Sequence, residues 1–126
     1  MPHKIAYNSQ EKYIEMKVWG SLLMDEAKDI ISEMIQVSKQ NNCLLILGDY
    51  REATMDLSVV EIYKLPTKIS EAAAASKISE FKIKRALVAD KNSENFYFFE
   101  TVTLNRGQSI KLFSDMDEAK EWLFKD

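Results

Sequence analysis

Polar residues that can do chemistry follow three apolar runs of the sequence, each where a buried strand is predicted to end. The first such group follows the run Cys43–Leu47, the second follows Lys84–Ala89, and the third is Ser114 and Asp115. In open α/β sheets, ligands bind outside the carboxyl ends of the strands, where loops meet helix N-termini. We therefore predict one strand-end rim as the candidate partner or ligand site, formed by Asp49, Tyr50, Arg51, Asp56, Asp90 and Lys91.

The charges on this rim suggest one specific chemistry. The carboxylates of Asp49 and Asp90 can hold Mg²⁺, and Arg51 or Lys91 can bind a phosphoryl group. A Mg²⁺-dependent phosphoryl-transfer site is therefore one hypothesis. Aspartate and serine are also the residues preferred where a helix begins. Helix capping is the favoured interpretation, so no catalytic residue, metal ligand or cofactor is assigned.

Other catalytic patterns are missing from the sequence. Three glycines, Gly20, Gly48 and Gly107, cannot make a glycine-rich phosphate loop. The single histidine, His3, has no ligand spacing to the single cysteine, Cys43. A lone cysteine forms no internal disulfide, and at the start of an apolar strand it is expected to pack as a small hydrophobe.

Hydrophobic periodicity predicts the elements that must position these residues. Period-two segments at Ile5–Tyr7 and Tyr13–Trp19 predict an antiparallel hairpin that Gly20 ends. The remaining chain alternates helices and strands: a helix from Leu23 to Gln40, a strand at Cys43–Leu47, a helix from Leu57 to Ser76 with a kink or break before Pro66, a strand at Lys84–Ala89, a helix capped by Ser93, a strand at Ser109–Phe113 and a helix capped by Asp115.

The order β-β-α-β-α-β-α-β-α defines an α/β fold with a single, mostly parallel sheet and an N-terminal antiparallel hairpin. We expect residues 1–126 to form one domain, since no linker or internal repeat divides them.

Composition narrows the partner classes. The net charge is −3, with 17 basic and 20 acidic residues intermixed, which argues against nucleic-acid binding. The richest basic run, Lys82–Arg85, alternates with apolar residues and predicts a solvated strand face. The N-terminus has no apolar signal core, and no apolar run is long enough to span a membrane, so a cytoplasmic protein is expected.

Two motifs resemble a known family. The strand Arg85-Ala-Leu-Val-Ala-Asp90 and the closing pattern F-x-D-x-D-E-A-x-x-W-L, which starts at Phe113, are similar to the SpoIIAA-like (STAS-type) family. Anti-sigma-factor antagonists of that family carry a D-S-S-G-type motif with a phosphorylatable serine at a helix N-terminus. Ser58 is the matching position here, although Leu57 and Val59 depart from the motif. Ser58 and Glu61 also fit a capping box, which needs no kinase, and Thr54 is a second hydroxyl in the same segment.

The resemblance favours a non-enzymatic, cytoplasmic regulatory or protein-interaction module. It would dock a protein partner through the predicted loop Asp49–Ser58 and the helix that follows. The alternative is a module for a small apolar ligand or lipid, bound at the strand-end rim or between the two central helices. An exposed aromatic residue in the block Phe96–Phe99 would suit a homodimer contact or a pocket wall.

Overall fold

The computed structural model describes residues 2–90 and 92–125, and its elements follow the predicted order. These elements are β1 (His3–Asn8), β2 (Tyr13–Leu22), α1 (Met24–Asn41), β3 (Leu45–Met55), α2 (Val59–Ala75), a 3₁₀ turn (Glu80–Lys82), β4 (Lys84–Val88), α3 (Glu94–Asn105), β5 (Ser109–Phe113) and α4 (Met116–Phe124). The strands form one sheet in the order β1-β2-β3-β4-β5. β1 is antiparallel to β2, and the other neighbours are parallel, which confirms the predicted fold class. That residues 1–126 form one domain stays a prediction.

The sheet is covered on both faces, as the continuous apolar run at the start of β3 predicted. α1, α2 and α3 pack on one face, where Ile46 of β3 joins their core. α4 packs on the other face through Ala119 and Leu123, against Leu47 of β3. Burial of a leucine or isoleucine side chain contributes about 1.5–3 kcal/mol, so the two cores anchor both faces of β3.

β3 differs most from its predicted length. It continues through Gly48 and Asp49 to Met55, because the second half pairs with β2 up to the register Leu22–Met55. β4 stops at the level of Asp49, where Val88 is its last paired residue. The end of β3 therefore projects beyond β4, and the prediction that Asp49–Ser58 is a loop is wrong over Asp49–Met55.

β2 is also longer than predicted. Gly20 has a φ of +81°, a conformation that glycine adopts without strain, and β2 passes through it to Leu22. The pairing register with β3 shifts between Lys17 and Trp19. The strand is therefore irregular near the position where it was predicted to end, and it continues beyond that position. The long β2 is what keeps the backbone of the second half of β3 hydrogen-bonded.

The helix ends are mostly as predicted. Ser93 accepts a hydrogen bond from the N–H of Phe96, and Asp115 accepts one from the N–H of Glu118 at 3.0 Å. Asn42 adopts a left-handed conformation (φ +48°) after α1. α2, in contrast, continues unbroken through Pro66, whose carbonyl accepts a hydrogen bond from the Ser70 hydroxyl at 3.0 Å.

Candidate functional site

The predicted rim residues lie on different faces of the sheet. Asp49 and Arg51 share the α4 face because strand residues two apart point the same way. Tyr50, between them, packs on the opposite face and contacts the ring of Phe96, with centroids 5.5 Å apart. The strand therefore separates Tyr50 from its two charged neighbours. Their role in binding stays a prediction.

Asp49 and Arg51 form a bidentate pair. Nε and Nη2 of Arg51 donate to the two carboxylate oxygens of Asp49, each at 2.9 Å, and the N–H of Arg51 donates at 3.1 Å. These hydrogen bonds hold the pKa of Asp49 below its usual range despite partial burial. The guanidinium of Arg51 is thus paired with a carboxylate of its own strand.

Asp56 and Asp90 form hydrogen bonds that hold neighbouring chain segments together. The Ser21 hydroxyl donates to the carboxylate of Asp56, and the Asp56 N–H donates to the Leu22 carbonyl at 3.0 Å, which ties the end of β3 to β2. Asp90 accepts a hydrogen bond from the N–H of Asn92 at 2.9 Å in the turn before α3. Lys91 lies outside the described residues. Across residues 2–90 and 92–125, no group of three or more His, Cys, Asp or Glu residues is placed to hold a metal ion.

Ser58 caps α2 through a complete capping box. Its hydroxyl accepts from the Glu61 N–H at 3.1 Å, while the Glu61 carboxylate accepts from the Ser58 N–H at 2.9 Å. Both side chains are reachable from solvent, and the preceding Leu57 is buried. The predicted capping box is confirmed; phosphorylation of Ser58 stays a prediction.

Three apolar side chains in the first turns of α2 face solvent. Val59, Val60 and Tyr63 are 66%, 61% and 69% exposed. They lie at helical spacings of three and four, so they share one face, which we call the α2 surface. Leu23 is also exposed and follows β2 beside the end of β3. This surface was not predicted from the sequence. The signal for it was the spacing of Val59, Val60 and Tyr63, which places them off the buried stripe Ile62, Leu65 and Ile69.

A cavity of about 40 Å³ lies between the sheet and the helices α1, α2 and α3. Its wall is apolar except for Arg85 and the Tyr50 phenol. Arg85 is 5% exposed, so the prediction that Lys82–Arg85 forms a solvated strand face is wrong for this residue. Strand alternation gave a clue: Arg85 shares its face with Leu87, which is buried.

An open groove of about 330 Å³ lies on the opposite face of the sheet, beside α4. Lysines and carboxylates line it together, among them Lys4, Lys17, Glu15 and Asp49. The Tyr13 hydroxyl donates to the Glu15 carboxylate, which lowers the pKa of Glu15. Because charges of both signs line the groove, it favours neither an anion nor a cation as a ligand.

Solved structures with a similar backbone include two with informative names. One is an anti-sigma factor antagonist from Mycobacterium paratuberculosis, with a TM-score of 0.57 and 14% identity over 98% of this chain and 95% of that chain. Another is an uncharacterized DUF3478-family protein with a SpoIIAA-like fold from Shewanella loihica PV-4. Its TM-score is 0.54 and its identity 19%, over 96% of this chain and 91% of that chain.

These likenesses define the fold class: the chain has the α/β SpoIIAA-like fold, as the sequence motifs predicted. No protein-family model and no curated protein matches the sequence. Among the described helices, none combines the length and apolar character needed to cross a membrane.

Proposed function

We propose that this protein is a non-enzymatic, cytoplasmic regulatory module that docks a partner protein through the α2 surface. The observation that carries the proposal is the exposure of Val59, Val60 and Tyr63 in consecutive turns at the start of one helix. Apolar side chains grouped on one face mark contact surfaces, and tyrosine is enriched among the residues that dominate binding energy.

The fold supports a regulatory role for this surface. One solved protein with a similar backbone is named an anti-sigma factor antagonist, a name that describes action against another protein. The position that resembles the family's phosphorylatable serine is Ser58, immediately before Val59 in the chain. A modification of Ser58 would therefore lie at the border of the proposed docking surface.

The capping box gives phosphorylation of Ser58 a physical consequence. A phosphate on the Ser58 hydroxyl would stand next to the Glu61 carboxylate, which lies 2.9 Å from the Ser58 nitrogen. Repulsion would displace Glu61, whereas the free N–H groups of the helix N-terminus would favour the phosphate. Replacement of the Glu61 carboxylate by the phosphate at the helix N-terminus would change both the charge and the shape at the edge of the α2 surface.

A matched pair of variants tests the docking surface. The double variant Val59→Ser/Tyr63→Ser removes apolar area from the α2 surface without touching the core. The control, Tyr97→Ser/Leu104→Ser, makes equivalent changes at two exposed positions of α3. Partner capture from the native host, quantified by mass spectrometry, should fall at least tenfold for the α2 variant only. Equal capture by all three proteins would contradict docking through α2.

The proposed control of docking by phosphorylation, which we call the switch, is tested separately at Ser58. With a captured partner in hand, Ser58→Ala and Ser58→Glu are compared with the wild type for binding affinity. Glutamate should change the affinity more than alanine does, because it adds the charge that a phosphate would bring. A partner insensitive to both substitutions would overturn the switch while leaving the docking surface intact.

A further inference from the structure

The groove beside α4 lies over the part of the sheet that α4 leaves open. α4 packs mainly on β3, β4 and β5, so the same face of β1 and β2 presents Lys4, Ala6, Glu15 and Lys17 to solvent. The volume of about 330 Å³ falls in the range of about 300–1,000 Å³ that is typical of small-molecule sites. At about 30 Å³ per water, the groove has room for about ten atoms of that size.

Two of the charged groups in this groove are already paired within the chain. Both carboxylate oxygens of Asp49 accept hydrogen bonds from the guanidinium of Arg51. Nζ of Lys17 lies 3.0 Å from a carboxylate oxygen of Glu52. The other charged side chains of the lining are one carboxylate and two ammonium groups, and these decide what the groove can bind.

Glu15 supplies that carboxylate, and one of its oxygens is available to a ligand. The amide nitrogen of Asn8 and the hydroxyl of Tyr13 both donate to Oε1 of Glu15, the former at 3.2 Å. Within the described ranges 2–90 and 92–125, Oε2 of Glu15 accepts no hydrogen bond and Glu15 forms no ion pair. Oε2 can therefore accept from an ammonium group placed in the groove.

Lys4 and Lys120 supply the two ammonium groups, on opposite sides of the groove. The hydrogen bond from Tyr13 is the main cause of the lowered pKa of Glu15, and the charges of Lys120 and Lys4 lower it further. Both ammonium groups are thus near Glu15 without being paired to it. Nζ of Lys120 lies 5.7 Å from the centroid of the Tyr13 ring, and Lys4 lies on β1, one residue pair along from the pair of Ala6 with Glu15 on the same face. Opposite charges that are close but unpaired leave space for a molecule that bridges them.

The apolar part of the lining defines the rest of that molecule. The side chains of Ala6, Leu47 and Met116 lie in the same lining, beside the ring of Tyr13. An anion or a cation alone would satisfy one sign of charge and leave the other without a partner. A small zwitterion with an aliphatic side chain complements both signs and the apolar lining together, because charge-assisted hydrogen bonds form at each end.

We propose that this groove binds a free α-amino acid with an aliphatic side chain, its ammonium group on Glu15 and its carboxylate on Lys4 and Lys120. The site lies on the face of the sheet opposite α2, so it depends neither on the α2 surface nor on a protein partner.

An NMR titration of the wild type with L-leucine tests the proposal. The backbone amide signals of Lys4, Glu15 and Lys120 should shift saturably as L-leucine is added. Isocaproate lacks the ammonium group and isopentylamine lacks the carboxylate, so each should bind at least about tenfold more weakly than L-leucine. Equal affinity for either analogue would overturn the proposal, since the groove would then not select a zwitterion. So would the absence of a saturable shift up to the solubility of L-leucine.

Variants locate the site. Glu15→Gln keeps the oxygen that accepts from Tyr13 and removes the charge, and Lys120→Met removes one ammonium group. Each should weaken L-leucine binding by at least about tenfold. Glu121→Gln and Lys111→Met make the same changes at exposed positions outside the groove and should bind L-leucine as the wild type does. An affinity unchanged by Glu15→Gln would contradict the assignment, and the titration of the wild type is decisive even if a variant does not fold.

Discussion

Gln108 accepts a hydrogen bond from Arg85 at 3.3 Å and both residues are buried, so two polar side chains are partnered inside the core. The amide nitrogen of Gln108 also donates to the Pro66 carbonyl at 3.0 Å and to Glu80 at 2.7 Å. One side chain thereby joins β4, α2 and the 3₁₀ turn.

Replacing Gln108 by leucine should destabilise the fold. The substitution removes the acceptor of the buried Arg85 guanidinium, and a buried unsatisfied group costs about 1–3 kcal/mol. We expect the free energy of unfolding to fall by roughly 1–3 kcal/mol in a urea titration. Gln36→Leu, at an exposed position of α1, is the matched control and should change it little. Equal urea midpoints for the two variants would show that the buried network contributes nothing.

Ser58→Ala should weaken α2 from its first turn. The variant removes the acceptor for the Glu61 N–H, and loss of an N-cap costs about 0.5–2 kcal/mol. Ser32→Ala, on the exposed middle of α1, has no cap to lose and should be neutral or slightly stabilising because alanine favours helices. Chemical denaturation of both variants measures the difference. Identical unfolding energies would mean that the capping box does not stabilise the helix in solution.

Arg51→Met should raise the pKa of Asp49 toward its ordinary value. Hydrogen bonds from Arg51 are the main cause of the lowered pKa, while Lys17 acts only through its charge and contributes least of the stated causes. Lys17→Met is therefore the control, with a smaller expected shift. Carboxyl ¹³C NMR titrations of the wild type and both variants give the three values. A larger shift in Lys17→Met than in Arg51→Met would contradict the bidentate pair.

The same pair sets a direction for stability against pH. Because the pKa of Asp49 is lower in the folded state, its stabilising contribution is present above the unfolded pKa of about 3.9. That contribution is lost as the pH falls through the folded-state pKa. Arg51 is half exposed, so the effect should not exceed about 0.5 kcal/mol. Urea titrations at pH 7 and near pH 2 should therefore show a smaller loss of stability in Arg51→Met than in the wild type.

Local patterns predicted the order of elements and the capping residues, because period, capping and strand burial are encoded in neighbouring residues. The length of β3 was not predictable in this way. Its second half is polar in composition, yet β2 supplies backbone partners as far as Met55. Arg85 escaped prediction for a related reason: alternation places it on the same strand face as Leu87, but it is the packing of α1, α2 and α3 that excludes solvent from that face. The length of β3 and the burial of Arg85 thus depend on contacts distant in sequence.

Gly48 illustrates the same dependence on tertiary contacts, and it gives the most direct test of β3. Its position before Asp49 suggested the end of a strand, but it lies within β3, under the ring of Tyr50. A Cβ at position 48 would stand 2.7 Å from Cε1 of Tyr50 and 3.1 Å from Cδ2 of Leu87, so glycine is needed here for close packing.

Gly48→Ala should lower the free energy of unfolding by about 1–3 kcal/mol, the usual cost of overpacking. In a Tyr50→Leu background the nearer clash is absent, and the cost of Gly48→Ala should shrink by more than half in the double-mutant cycle. Strictly additive effects of the two substitutions would place the Tyr50 ring elsewhere, and with it the wall of the Arg85 cavity.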